Sequence, residues 1–407
     1  MFTLNNVQVY DDIGDIGLPW ISTTMTINGN GSTIQRNSNA PYFRIMAVGK
    51  NGNLTLNNTT IRGGYVITGH SQDYSHYYGG GGILNQGILT ISSGTLTENE
   101  NYDGEYAYGG AIDNVGALTI INSYIINNEA DGWDGVGGGG INSDEGSVTI
   151  LNSVVSGNHA EGDSTFGGGI AIGSSSLLVI DNSIIANNTV EGYDGAIYGG
   201  GIISFGSTTI SNSTFTGNHV YSTYNPYNEP YGSGGAIVNA WNGVMTISNS
   251  TISANIADSH TGGILNYNDM TITNTTITSN NNGGVFTTCE HSDPITRFRR
   301  TIVSGNSGGE VTLDYAGNCP GGVVANKHNV FGRNGNAGLI GFSPGATDIV
   351  PAGALNTILS PLANNGGPTL THALPSGSPA LDRAPNAACA AAPVNLSLIH
   401  ILNVSAT

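Results

Sequence analysis

Apolar positions along this chain recur in threes, and the polar residues between them recur in step. From Gly79 onward one column, Ile83, Ile112, Ile141, Ile170, Ile202, Ile237, Ile264 and Val285, follows short glycine-rich runs. A second holds Ile91, Ile120, Ile150, Ile180, Ile210, Ile247 and Ile272. A third holds Leu96, Ile125, Val155, Ile185, Phe215, Ile252, Ile277 and Val303. Each repeat therefore predicts three short strands and no helix. Strands that return at a fixed offset with no helix between them pair in parallel only if the chain coils, each turn stacking on the last at roughly 4.8 Å. The expected fold is all-β, a right-handed parallel β-helix (a solenoid) with about three short strands per turn and about ten turns.

Every residue of the third column is followed three positions later by an asparagine: Asn99, Asn128, Asn158, Asn188, Asn218, Asn255, Asn280 and Asn306. Stacked at a turn, such amides can bond to one another as a ladder. The glycines suit positions with positive φ or with no room for a Cβ. The repeated Asn-x-Ser/Thr reads as turn chemistry rather than glycosylation. All of this is scaffold.

At the N-terminal end, Met25 to Gly31 and Ser32 to Arg36 read as first, irregular turns. Phe2 to Val7 matches Leu54 to Thr59, a piece of repeat, so a signal peptide is absent from this fragment and the true N-terminus is expected upstream.

Composition sharpens the picture. Of 407 residues 62 are glycine and only 9% are charged, which disfavours a helical fold. The net charge is -18, and Gly63 to Thr296 holds 21 acidic residues with no Lys or Arg. Such a surface cannot neutralise phosphates, so nucleic acid is excluded as a partner. No run of apolar residues is long enough for a membrane helix. Cys289 and Cys319 lie one repeat period apart, the spacing of residues facing each other on neighbouring turns, so either a disulfide joins them or they are buried free thiols. No zinc spacing, nucleophile elbow or phosphate loop is present, and His159 and His219 read as turn residues.

What varies between repeats is the segment from the ladder asparagine to the next glycines. These segments leave the coil at one position, so they must line one edge of the rod, and they hold 12 of the 18 tyrosines. Insertions on one face of a repeat protein commonly bind. The ligand-binding candidates are Tyr106, Trp133, Asp134, Tyr193, Asp194 and Tyr198, aromatic faces beside carboxylates in Gly-flanked settings. The same aromatics could equally pack on one another to stiffen the loops. No cofactor is required. Calcium is the open alternative, with Asp131, Asp134, Glu191 and Asp194 as weak candidate ligands that match neither the EF-hand nor the nonapeptide spacing.

Gly109 to Ile112, Gly234 to Ile237 and Phe215 to Asn218 resemble the Gly-Gly-Ala-Ile and Phe-x-x-Asn repeats of polymorphic outer-membrane proteins and related bacterial surface β-helices. Asn329 to Gly332, Leu362 to Leu374 and Gly377 to Asp382 resemble the choice-of-anchor Q domain of secreted bacterial proteins. The implied organisation is a β-helix over 1–340 and a C-terminal capping segment over 341–394; beyond it the chain departs from the family, and because Leu396 to Ile401 reads as translated sequencing adapter, 395–407 is expected to be a non-native tail. The resemblance implies export to the cell surface or medium, and no established activity.

Two functions follow. One is non-enzymatic adhesion or binding of a polysaccharide or a host or cell-surface protein through the Tyr/Trp/acid-rich loops. The alternative is a polysaccharide-active enzyme. A pectate-type lyase needs a cationic base that Gly63 to Thr296 lacks, whereas a glycoside hydrolase could draw on Asp131, Asp134, Glu161, Asp163, Glu191 and Asp194.

Overall fold

The computed structural model describes residues 1–67, 69–70, 77–103, 105–193, 195–223, 232–289, 293–314 and 322–383. Each of the three apolar columns becomes a stack of parallel strands, about ten turns in all. In the turn opening at Ile141, the strands are Ile141–Ser143, Ser147–Leu151 and Val154–Ser156. They belong to the first, second and third core sheets. The first runs from Met46–Val48 to Leu339–Ile340 in eleven strands, and Ile83, Ile112, Ile141, Ile170, Ile202, Ile237, Ile264 and Val285 are direct neighbours along it. The second and third merge through two long strands, Thr24–Arg36 and Asn53–Arg62, which run the length of both. The inward side chains of all three make one continuous core along the rod.

Polar ladders line the corners, and two of them are long. Asn99 to Asn306 stack as expected, each Nδ2 donating to the next Oδ1 at 2.9–3.0 Å and each backbone N–H donating to the same oxygen at 3.0–3.1 Å. Glu310 terminates the series, accepting from Asn306 Nδ2 at 2.7 Å and from the Gly305 N–H at 2.7 Å. The second ladder runs through Ser123, Ser153, Ser183, Ser213 and Ser250, backbone N–H to the next hydroxyl at 3.0–3.2 Å. The asparagine before each serine sits at φ between 49° and 52°, a region asparagine tolerates better than other non-glycine residues. That is the physical content of the Asn-Ser repeats.

The variable segments are strands too. Between the ladder asparagine and the glycines, the turn described above adds His159–Gly162 and Ser164–Phe166. The first of these belongs to a seven-stranded parallel sheet, leaf A, and the second to a five-stranded one, leaf B. Five successive turns thus have five strands, the expected three and two more. The leaves pack back to back over Ala107, Ala130, Val136 and Ala160, continued by Val190, Ile197, Val220 and Ala257. Small side chains keep this second core thin, so the leaves form a fin on the rod.

The C-terminal segment packs on the turns of Ile302 and Val330 and then runs back along the rod. Ile349 bridges to Val330, and Ile358, Leu359 and Ala380 pack on Ile302 and Val330. The chain then doubles back along the outside of the third core sheet as a hairpin, Leu362–Ala363 against Thr371–His372. It reaches the turn of Thr214, whose hydroxyl donates to the Leu370 carbonyl at 2.6 Å. His372 Nδ1 donates to the Ser360 carbonyl at 2.7 Å, leaving Nε2 to accept from the Ser253 hydroxyl at 2.9 Å. Residues 384–407, including the tail expected to be non-native, lie outside the described residues. Cys289 is disulfide-bonded, and Cys319 lies outside the described residues.

One buried acid makes stability depend on pH. Asp113 is 1% exposed and accepts from the Gly79 N–H at 3.1 Å and Asn142 Nδ2 at 3.0 Å. Burial, with Asp144 nearby, raises its pKa to about 7. The folded protein holds this proton more tightly than the unfolded chain does, so the contribution is complete below about pH 4 and is lost as pH rises through about 7. The shift corresponds to roughly 4 kcal/mol. Thermal unfolding from pH 4 to 8 is expected to show the decline, and Asp113→Asn, which holds the position uncharged, to flatten it.

Candidate functional site

The fin carries two different surfaces, set by strand alternation. In leaf A the register aligns Tyr65, Glu100, Glu129, His159, Thr189 and His219 in one outward column. Ile67, Tyr102, Asp131, Glu161, Glu191 and Tyr221 form the other, and the residues between them point into the fin. His159 and His219 are thus strand residues on an acidic sheet face, not turn residues. The signal was available as polar-apolar-polar alternation in Glu129-Ala130-Asp131, His159-Ala160-Glu161 and Thr189-Val190-Glu191, a period of two inside segments read as loops.

In-register stacking sets carboxylates beside carboxylates at the strand spacing, and the charges respond. Burial, then Glu129 and Asp131, raise Glu100 to about 7. Burial, then Glu161 and Glu129, raise Asp131 to about 6. Glu129 is held low by His159. Burial opposes charging His159, but Glu129, Glu161 and Glu191 outweigh it and raise its pKa. His159 stands between acids, Nδ1 3.4 Å from Glu129 Oε1 and Nε2 3.4 Å from Glu191 Oε2. Tyr193 donates its hydroxyl to Glu161, and Tyr221 donates to Glu191.

The other surface is aromatic. The outward column of leaf B brings Phe166 and Tyr198 side by side, ring centroids 6.3 Å apart. Both reach over the first core sheet. Tyr198 meets Tyr267 edge-on at 6.2 Å, and Phe166 meets Phe205 at 6.5 Å. Trp241 joins Phe205 at 5.7 Å and Tyr267 at 6.0 Å, closing a band of five rings. Its floor is Ala171, Ile203, Val238, Ala240 and Leu265, outward residues of the sheet and the turn beyond it. Phe205, Trp241 and Tyr267 escaped the sequence reading because they stand outside the variable segments. Their signal is an aromatic three or four residues after Ile202, Ile237 and Ile264.

The six ligand-binding candidates do not converge. Tyr198 belongs to the aromatic band, and Tyr106 lies farther along leaf B with its ring over Gly135. Trp133 is 71% exposed at the fin tip, where Asp134 follows it. Tyr193 serves the acidic face, and Asp194 lies outside the described residues. Of the calcium candidates, Asp131 and Glu191 share a leaf A column two strands apart, while Asp134 is at the tip. Comparison with protein-family models, curated proteins and solved structures gives no match, so the two family resemblances rest on their motifs alone.

Proposed function

We propose that this chain is an exported or cell-surface rod that binds a polysaccharide, without catalysing a reaction, and that the band of Phe166, Tyr198, Phe205, Trp241 and Tyr267 is the binding surface. The observation that carries the reading is Trp241. It is 42% exposed on the turn after Ile237–Asn239, while its ring is braced by Phe205 and Tyr267. A flat apolar face, held without conformational cost and flanked by tyrosine hydroxyls, suits a sugar ring. Exposed Trp133 and Asp134 at the tip offer a second contact for a long chain or a surface protein. The disulfide at Cys289 supports an oxidising, extracytoplasmic setting.

Hydrolysis is the weaker reading, because Glu129, Glu161 and Glu191 are engaged by His159, Tyr193 and Tyr221 rather than poised as a free acid and base. Glycan-array screening followed by titration tests the proposal. Trp241→Ala is expected to weaken binding about 30-fold, the loss typical of a central aromatic anchor, with Trp133→Ala much milder. Unchanged affinity in a correctly folded Trp241→Ala protein would sink the assignment. Release of reducing ends from the bound polysaccharide would replace it with the hydrolase.

A further inference from the structure

The acidic face of leaf A holds a group that neither the aromatic band nor the scaffold uses. Glu129, His159 and Glu161 come from two adjacent strands, and each offers one ligand atom within 4.8 Å of the others. We propose that these three residues bind a divalent first-row transition cation, with Zn2+ the best fit, His159 Nδ1 and the two carboxylates being the ligands.

Three observations point there. His159 Nδ1 lies 3.4 Å from Glu129 Oε1. That is long for a charge-assisted hydrogen bond, which prefers about 2.7–2.9 Å. It matches two ligands on one ion, since Zn–N and Zn–O bonds of about 2.0–2.1 Å at a tetrahedral angle place the ligand atoms about 3.4 Å apart. Second, the other imidazole nitrogen, Nε2, is shielded from solvent and has no hydrogen-bond partner. Glu191 Oε2 lies 3.4 Å from it, not yet hydrogen-bonded but close enough for a small approach to supply the acid to which a ligating histidine donates its second N–H.

Third, one ligand carboxylate and the one beyond the ligand set are already oriented, Glu161 by the Tyr193 hydroxyl and Glu191 by Tyr221. The donor set decides the ion. Ca2+ and Mg2+ prefer all-oxygen shells, whereas an imidazole with carboxylates suits Zn2+. A dication here would also offset the stacked negative charge of leaf A. The site is independent of the polysaccharide reading, being on the opposite face of the fin.

The test is calorimetric titration of the chelator-treated full chain with Zn2+, Co2+ and Ca2+, with the Co2+ absorption spectrum read for tetrahedral intensity. His159→Thr is a conservative change, because Thr189 occupies the same column one turn on. Glu161→Gln keeps size and shape, so folding is protected twice, and circular dichroism checks both. Zn2+ is expected to bind, and each variant to weaken it by at least about 10-fold, the loss that even an outer-sphere partner produces. Ca2+ should not compete. No Zn2+ uptake by the wild type, uptake that both variants leave unchanged, or displacement of Zn2+ by equimolar Ca2+ would each overturn the site.

Discussion

Gly139→Ala is expected to abolish the fold at the middle of the rod, with a loss of more than about 4 kcal/mol. A Cβ built on Gly139 would lie 2.2 Å from the His159 carbonyl oxygen and 2.5 Å from that of Gly168. Both are backbone atoms of the next turn, so relief means separating two turns that every sheet holds together. Overpacking against a side chain can be absorbed by a rotamer, but here there is none to move. Its neighbour Gly138 has a different reason to be glycine, with φ at 65°. The contrast is Gly335, at φ 74° with nothing within 4 Å of the place a Cβ would take, where alanine should cost only about 1 kcal/mol of backbone strain. Soluble yield, urea unfolding and limited proteolysis of the two variants give the comparison. Equal stability would refute the argument that the glycine runs are set by interturn crowding.

The second large effect lies in the asparagine ladder. Asn188→Ala is expected to cost on the order of 4 kcal/mol, because several buried groups lose partners together. Asn188 Oδ1 accepts from both the Nδ2 and the backbone N–H of Asn158, and its own Nδ2 donates to Asn218 Oδ1 and the Val155 carbonyl. Alanine orphans the Asn158 N–H outright. Asn188→Asp should be no better. It can accept from Asn158 but faces the Asn218 and Val155 oxygens with no donor. The native chain uses a carboxylate only where nothing further needs a proton, at Glu310 beyond Asn306. Urea unfolding of both variants decides it, and a loss under about 1 kcal/mol would mean that the ladder contributes little net hydrogen bonding.

Much of this was legible in the chain because a solenoid turns long-range contacts into short-range repetition. Each isoleucine touches its counterpart one turn on, at the same place in a repeated motif although the number of residues between them varies, so the column written in the sequence is the column in the core. The ladder was readable for the same reason. The fin was not read as strands because its segments differ in length and its inward residues are small. Ala130 and Ala160 do not stand out as a hydrophobic column, although the alternation around them does. The C-terminal strap was unreadable in principle, since Thr369 and Leu370 meet Asn212 and Thr214 without any shared period.

Local pattern therefore determined the coil, its three core strands per turn, its ladders and the common edge of its variable segments. Tertiary structure alone decided what those segments do. Register brought His159 between acids that lie 30 and 32 residues away along the chain, Glu129 and Glu191. It also set Tyr198 on one face of the fin and Tyr193, with Asp131, Glu161 and Glu191, on the other. The reason is the two-residue period of a strand: which neighbours a side chain meets depends on its phase in the pleat and on the strand stacked beside it. Sequence proximity reports neither.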